Sequence, residues 1–400
     1  MKSLLPYIAV ALLSVSAPVI AQDWHYNGFV NQTVINTSDN FMFGSTDDNL
    51  SLDYRELALI ISGPVFNRVD FSSQLLSRKA GIADDGTPRI DYGFFSWQFY
   101  EDLSTTQGFR FGRLKAPIGF FNDSRDSPFT RNGVFLPQSM YVDRTRNFTM
   151  RADEFMYFGE WRSDQWTLNW KMAAGKNIPD KDELDDFFHI PRNMNASFES
   201  TRVWHFQLLA DYDGGRIRLG YSEYDSPSQY TLGPIALIGI IKSEGSSHWR
   251  ALSFEYNDVR WTLTSEIIRG IVDYNGFSPD PNNPNYRDYP EAAYAQFLWH
   301  FGASQSVYIR KEYNYLNRHD EEGSRYTTFP IAEIAHLKPE DRFGSGNVLG
   351  WSISPTPSWL IRFDVSKNTG AMLMTQRDAP TGYVSKRHWN MAAFAVAWRF

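Results

Sequence analysis

Among its 400 residues the chain has no cysteine. A disulfide framework is excluded, and an exported chain of this size without one must draw its stability from a large core or from closure of a sheet. Long apolar runs are missing too. Beyond residue 21 no segment approaches the roughly 18 apolar residues that a membrane helix needs. Basic excess is absent: 39 Lys and Arg face 46 Asp and Glu, a net charge of −7, which leaves no case for a nucleic-acid partner. Catalytic motifs are lacking as well. Gly220-Tyr221-Ser222-Glu223-Tyr224 misses the second glycine of a nucleophile elbow, no His-Glu-x-x-His occurs, and the eight histidines are scattered singly. No catalytic residue is assigned; a hydrolase would have to assemble its site from separate strands, with His205, His248 and His300 as candidates for the interior. The acidic run Asp180, Asp182, Glu183, Asp185 and Asp186 has neither the glycine nor the ligand order of a calcium loop, so it reads as solvated, and no metal or cofactor is expected.

What is present points to export and to strands. Met1 to Ala21 reads as a signal peptide: Lys2 gives the positive start, Leu4 to Val15 the short apolar run, and Val19-Ile20-Ala21 the small-residue cleavage site. The run is too short, and too broken by Pro6 and Pro18, for a membrane anchor. Loss of Lys2 turns the net charge from −7 to −8. Aromatic residues make up 16% of the chain, high for a mean hydropathy of −0.42. Lipid outside and water inside an alternating strand produces that combination. The alternation is explicit: Trp166, Leu168, Trp170 and Met172 oppose Thr167, Asn169 and Lys171, and Trp359, Ile361, Phe363 and Val365 oppose Arg362, Asp364 and Ser366. Around Leu57 to Ile61 and Phe94 to Phe99 both faces are apolar, as under a loop folded inward or at a subunit interface.

Breaks between these runs are of two kinds. Short turns are expected at 62–64, 102–106, 163–164, 213–215, 257–258, 302–303 and 355–357, and long polar loops near 37–48, 79–88, 116–153, 176–198, 226–246, 273–290, 318–344 and 369–386. They alternate, and the strands between them number about sixteen, the even count of a closed membrane barrel without free edges. A soluble propeller or sandwich would show an internal repeat, and none is found. The fold class is therefore all-β, a transmembrane antiparallel barrel occupying 22–400. Its last strand sets Phe394, Trp398 and Phe400 on one face, an ending that resembles the assembly signal of outer-membrane barrels.

The third long loop breaks the pattern. From Gly112 to Glu154 it holds Pro117, Pro128 and Pro137 and sustains neither strand nor helix period. Yet it carries Phe120, Phe121, Phe129, Phe135, Met140, Tyr141 and Phe148, too much apolar surface for a disordered segment. In topology and in this loop the chain resembles bacterial sixteen-stranded porins, and Phe111 to Gly119 is similar to a strand-end motif of the phosphate-selective porin O/P family. The resemblance implies a homotrimer in the bacterial outer membrane, with the third loop, 116–153, folded into the lumen to narrow a water-filled pore for passive transport. Arg125, Arg131, Arg144 and Arg146, with Asp123, Asp126 and Asp143, are the constriction candidates, since charged rings select ions by sign and size. Pairing that merely pins the loop is the alternative role for each.

Strand parity puts Arg68, Lys171, Arg216, Arg218, Arg260, Arg310 and Arg362 on the lumen wall, against Asp70, Glu266, Glu312 and Asp364. Arg310 and Glu312, like Arg362 and Asp364, are spaced to pair locally. Arg216 and Arg218 lack an acid on their own strand and read as a basic ladder for anions. Small hydrophilic, anionic solutes, membrane lipid and lipopolysaccharide are the expected partners. A non-transporting barrel, an adhesin or receptor with an occluded lumen, remains compatible with the same loops.

Overall fold

The computed structural model describes residues 24–149, 151–178, 180, 196–226, 228–235, 239–275, 285–328, 338–374, 378–380 and 382–400; the expected signal peptide, 1–21, and Asp182 to Asp186 lie outside them. Among these residues twenty strands form one sheet. Sixteen make the wall: β1 His25–Thr37, β2 Ser51–Phe66, β3 Val69–Ala80, β4 Arg89–Glu101, β5 Thr105–Lys115, β6 Arg151–Arg162, β7 Trp166–Asn177, β8 Arg202–Tyr212, β9 Ile217–Asp225, β10 Gly239–Asn257, β11 Trp261–Asn275, β12 Glu291–His300, β13 Gln305–Tyr315, β14 Phe343–Thr356, β15 Trp359–Thr369 and β16 His388–Arg399. Four short strands, Asp84–Asp85, Ala196–Glu199, Ser228–Ile235 and Asn285–Asp288, belong to the outward loops. Each wall strand pairs antiparallel with the next, and β16 returns to β1 in a register running from Phe29↔Arg399 to Thr37↔Met391. Gly28 and Phe400 exchange both backbone hydrogen bonds at 3.1 Å, so the terminal residue seals the barrel.

The period-2 pattern sorts the two faces. Leu57 and Leu59 on β2, Phe111 on β5, Phe155 on β6, Leu252 on β10 and Ile309 on β13 are exposed, whereas the alternate residues Glu56, Ala58, Met156, Ser253 and Arg310 are buried inside. Trp97, Trp161, Trp166, Trp299, Trp359 and Trp398 gather near the short-turn ends of their strands, the aromatic girdle expected where lipid meets water. The doubly apolar stretches sort the same way. Outside, Phe95 stacks on Phe111 at 5.3 Å, next to Phe71 at 5.1 Å. Inside, Ala58 packs with Phe29, Leu76 and the loop residue Phe129, and Phe94 packs against Leu114, Met156 and Ala173.

Two boundaries differ from the sequence expectation. The first inward turn is Asn67-Arg68, with Arg68 at φ +61°, and not Ser62-Gly63-Pro64. Gly63 and Pro64 lie in the ladder opposite Phe71 and Asp70, and the irregularity after Pro64 absorbs the proline. The fifth outward loop, expected to be irregular over 226–246, carries a hairpin, because Ser228 to Leu232 pairs with the outer part of β10.

Gly112 on β5 sits at φ +133°, a conformation essentially reserved for glycine, and a Cβ there would collide with the Gly93 carbonyl of β4. Gly112→Val should lower barrel stability by about 2–4 kcal/mol, read as a lower urea midpoint for refolded protein in detergent. An unchanged midpoint would show that the strand tolerates the side chain.

Candidate functional site in the barrel interior

Loop 3, residues 116–150, joins β5 to β6, and its described residues contain only short turns of helix, at Asn122–Ser124, Pro128–Thr130, Asp143–Thr145 and Arg146–Thr149. Its peptide groups are met by side chains on the inner face of the wall. Gly119 donates to Ser222 of β9 at 3.1 Å and accepts from Gln207 of β8 at 2.8 Å. Phe120 donates to Glu266 of β11 at 2.9 Å, Val134 to Asp364 of β15 at 2.8 Å, and Ser139 to Glu312 of β13 at 3.0 Å. Arg362 donates to the carbonyls of Pro128 and Arg131, and Arg310 to that of Phe135 at 3.3 Å. Glu266 also accepts from Tyr141 and Tyr294 at 2.6 Å each. Apolar packing completes the fit: Ile118, Leu136, Met140 and Tyr141 lie against Ala251, Ile268, Ala292 and Tyr294.

On the β2–β6 side the loop is held by charge. Arg131 meets Glu56 at 2.6 Å, Arg125 meets Asp143 at 2.9 Å, and Arg146 reaches Asp126, through Nε at 2.8 Å, and Asp91 at 3.1 Å. Lys115 is bonded to Asp126 and lies 3.6 Å from Asp91, while Arg151 is 3.9 Å from Asp91. Arg78 bridges Asp143 at 3.1 Å and Asp84 at 3.4 Å, and Arg89 adds a 2.6 Å pair with Asp84. Seven cations (Arg78, Arg89, Lys115, Arg125, Arg131, Arg146 and Arg151) thus surround five carboxylates (Glu56, Asp84, Asp91, Asp126 and Asp143). Burial alone would raise the loop carboxyls. Arg146 and Lys115 more than offset it and hold Asp126 well below the ordinary carboxylate range, and Arg78, Arg125 and Arg131 lower Asp143.

Two cavities flank the loop. One of about 280 Å³ lies on the β1–β7 side, lined by Ile60, Tyr92, Arg110, Lys115, Asp123 and Lys171. The other, about 200 Å³, opens among the outward strand ends of β6–β13 and is lined by Met140, Arg151, Tyr224 and Trp249, among others. Lys115 borders the first, Arg151 the second, and both lie within 4 Å of Asp91. The ionic cluster therefore stands between the cavities.

No protein-family model and no curated protein sequence matches the chain. Solved structures do. Those similar in fold include OmpT, an outer-membrane protein of Vibrio cholerae (TM-score 0.57, 11% identity, 94% of this chain and 97% of that one). The outer membrane channel DcaP of Acinetobacter baumannii follows (0.55, 10%, 94% and 97%), with the anion-selective porin from Comamonas acidovorans (0.56, 9%, 94% and 99%). The fold is that of the sixteen-stranded outer-membrane porins. The likeness of Phe111–Gly119 to the phosphate-selective porins stands on those residues alone.

Against this porin frame the residues named from sequence separate. Arg125, Arg131, Arg146, Asp126 and Asp143 are all in the buried cluster, and Arg144 is buried with its guanidinium on the Met372 carbonyl at 2.9 Å. Asp123 is the exposed member and pairs with Lys171 of β7. Arg310 and Arg362 are on the inner wall, where they bind loop 3; Arg310 also pairs with Glu312 at 3.4 Å. Arg68 and Arg260 are not on the wall but in turns, and Arg216 stands at a turn beside Tyr256 and Asp213. Arg218 does face inward, but it is no free rung: Asp211 and Glu255, directly opposite on β8 and β10, hold it at 3.1 and 3.0 Å. Sequence parity along one strand cannot see a partner across two ladders. Of the histidines, His205 bonds Glu154 at 2.5 Å inside, and His248 meets Glu223 at 3.0 Å on a strand position that faces outward. Asp180 accepts from Asn147 at 3.2 Å. Among the described residues no three acids or histidines are grouped to hold a metal.

Sequence reading missed Glu56, Arg78, Arg89, Asp84, Asp91, Lys115 and Arg151. All but Glu56 lie at or near strand ends or in the second loop, where alternation has faded; charge at a strand end next to a proline-rich loop was the available signal.

Asp126 and Asp143 titrate below their unfolded value, so their contribution is complete above about pH 4 and disappears as pH falls through the lowered values. Amide exchange in 116–149 should stay slow from pH 7 to about pH 4 and accelerate only below that range. Loosening between pH 6 and 5 would contradict the assignment. Asp126→Asn leaves Arg146 and Lys115 short of a carboxylate, an expected loss of about 3–5 kcal/mol, seen as protease cleavage within loop 3 at neutral pH.

Proposed function

We propose that the protein is a passive channel of the bacterial outer membrane for small hydrophilic anions, with loop 3 narrowing the path. The observation that carries this reading is the excess of cations over carboxylates in the cluster that stands between the two cavities. A solute passing from the outer to the inner cavity moves by Arg151 and Lys115, then Arg110 and Lys171. Arg110 is stacked over Phe94 and Phe158 at 5.3 and 4.5 Å, and its Nε has no hydrogen-bond partner, so it keeps a donor for a passing anion. Low-dielectric walls make such a field act over the width of the pore. Most of the candidate arginines in the loop then set the shape and the net charge of the narrow zone and do not coordinate the solute one by one. Membrane lipid and lipopolysaccharide surround the outer face. A homotrimer would use the outward aromatic strip of β3–β6, with Phe111 and Phe155 exposed and Phe71 and Phe95 half-buried beside them; one OmpT structure of similar fold is a trimer form.

A specific observation supports an occluded barrel as the second reading. Phe43 and Met42 of the first loop, Val134 and Phe135 of loop 3 and Met374 of the eighth pack into one apolar cluster at the outward mouth. Conductance separates the two. In planar bilayers under a KCl gradient, stepwise currents with a chloride-favouring zero-current potential are expected. Replacing two of the three cations that line the β1–β7 cavity, Arg110→Gln with Lys171→Gln, should shift that potential toward zero. Cation preference would discard the charge argument, and silence from folded protein would favour the occluded barrel.

A further inference from the structure

The outer cavity has the chemistry of a binding site. Arg151 lines it, is 9% exposed, and has neither Nε nor Nη1 in a hydrogen bond. Its nearest carboxylate, Asp91 at 3.9 Å, is already engaged by Arg146 at 3.1 Å. The other charged groups on the lining are taken. Asp288 accepts from Arg342 at 3.0 Å and Asn317 at 3.1 Å, Glu291 pairs with Arg269 at 2.7 Å and Tyr313 at 3.0 Å, and His205 is bonded to Glu154. One desolvated guanidinium with idle donors is left, and such a group binds a carboxylate strongly. Elsewhere on the same lining Asn314 has both amide atoms, and Ser139 its hydroxyl, without partners.

Thr145, Asn177, Ser226 and Ser247 add polar groups to the lining, and most of the remainder is apolar or aromatic. Tyr224 and Trp249 lie nearly parallel, 5.9 Å apart and 9° between planes, with Ile268, Val272, Met140 and Met372 among the apolar lining. The volume, about 200 Å³, exceeds the roughly 150 Å³ that accepts benzene in an apolar protein cavity. That leaves room for one ring and a small polar group. A phosphate dianion would call for a second cation, and a neutral sugar would leave the Arg151 charge unmatched.

We infer that this cavity binds a monocarboxylate bearing a single ring, its carboxylate on Arg151 and its ring against Tyr224 and Trp249. As a solute class for transport this rests on the channel reading above; as a binding site it does not. Isothermal titration of the refolded, detergent-solubilised protein with sodium benzoate tests it. Saturable binding is expected, weakened at least tenfold in Arg151→Gln and severalfold in Tyr224→Leu, two variants on separate strands first checked for folded mobility in unheated gels. Acetate, which lacks the ring, and benzyl alcohol, which lacks the charge, should both bind at least tenfold more weakly than benzoate. Unaltered benzoate affinity in folded Arg151→Gln, or acetate binding as tightly as benzoate, overturns the inference. Calorimetry needs no conduction, so the outcomes separate: binding with silent bilayers defeats the channel reading alone, and chloride currents without benzoate binding defeat this site alone.

Discussion

A segment that crosses the inside of a barrel must have its peptide groups and charges satisfied by the wall, because little water reaches them and each unmet group costs on the order of 1–3 kcal/mol. Loop 3 meets that requirement with side chains from β8, β9, β11, β13 and β15 on one side and with ion pairs to β2–β6 on the other. Much of the polar character of the inner wall follows from it. Glu266, Glu312, Asp364, Arg310 and Arg362 are inside less to meet solute than to replace the strand or helix partners that the loop backbone lacks.

The two halves of this arrangement have different physical consequences. Neutral peptide groups bonded to wall carboxylates give the loop its register. In the ionic half the cations exceed the carboxylates. Buried pairs contribute little net stability relative to apolar packing, but losing one partner is expensive. A chain that keeps such a cluster between two cavities retains both a rigid septum and a fixed electrostatic bias.

The barrel was legible because lipid imposes a period of two on every wall strand, and that period survives in the linear text. Trp359 to Ser366 shows it as plainly in the sequence as in the structure, and the proline content of 116–153 marked the one loop that could be neither strand nor turn. The same logic failed where the period carries no information. Gly63-Pro64 has turn chemistry but lies in a ladder, since the sheet tolerates the irregularity there and Asn67-Arg68 closes the hairpin. Arg216 and Arg260 share the parity of lumen residues yet sit beyond the strand ends, where no wall exists.

What the linear chain determined by itself is the alternation, the count of strands, the two classes of connection and the placing of a charged, aromatic-rich loop third in order. These are local properties, set within one strand or one turn by side-chain direction and backbone dihedral preference. Only the closed structure decided who pairs with whom. Arg218 finds Asp211 and Glu255 through register across three strands, Arg131 finds Glu56 from seventy-five positions away, and Arg151 is left with donors unmet because Arg146 has taken the acid they share. Charge pairing depends on distance in space and on desolvation, and neither is set until the barrel closes around the loop.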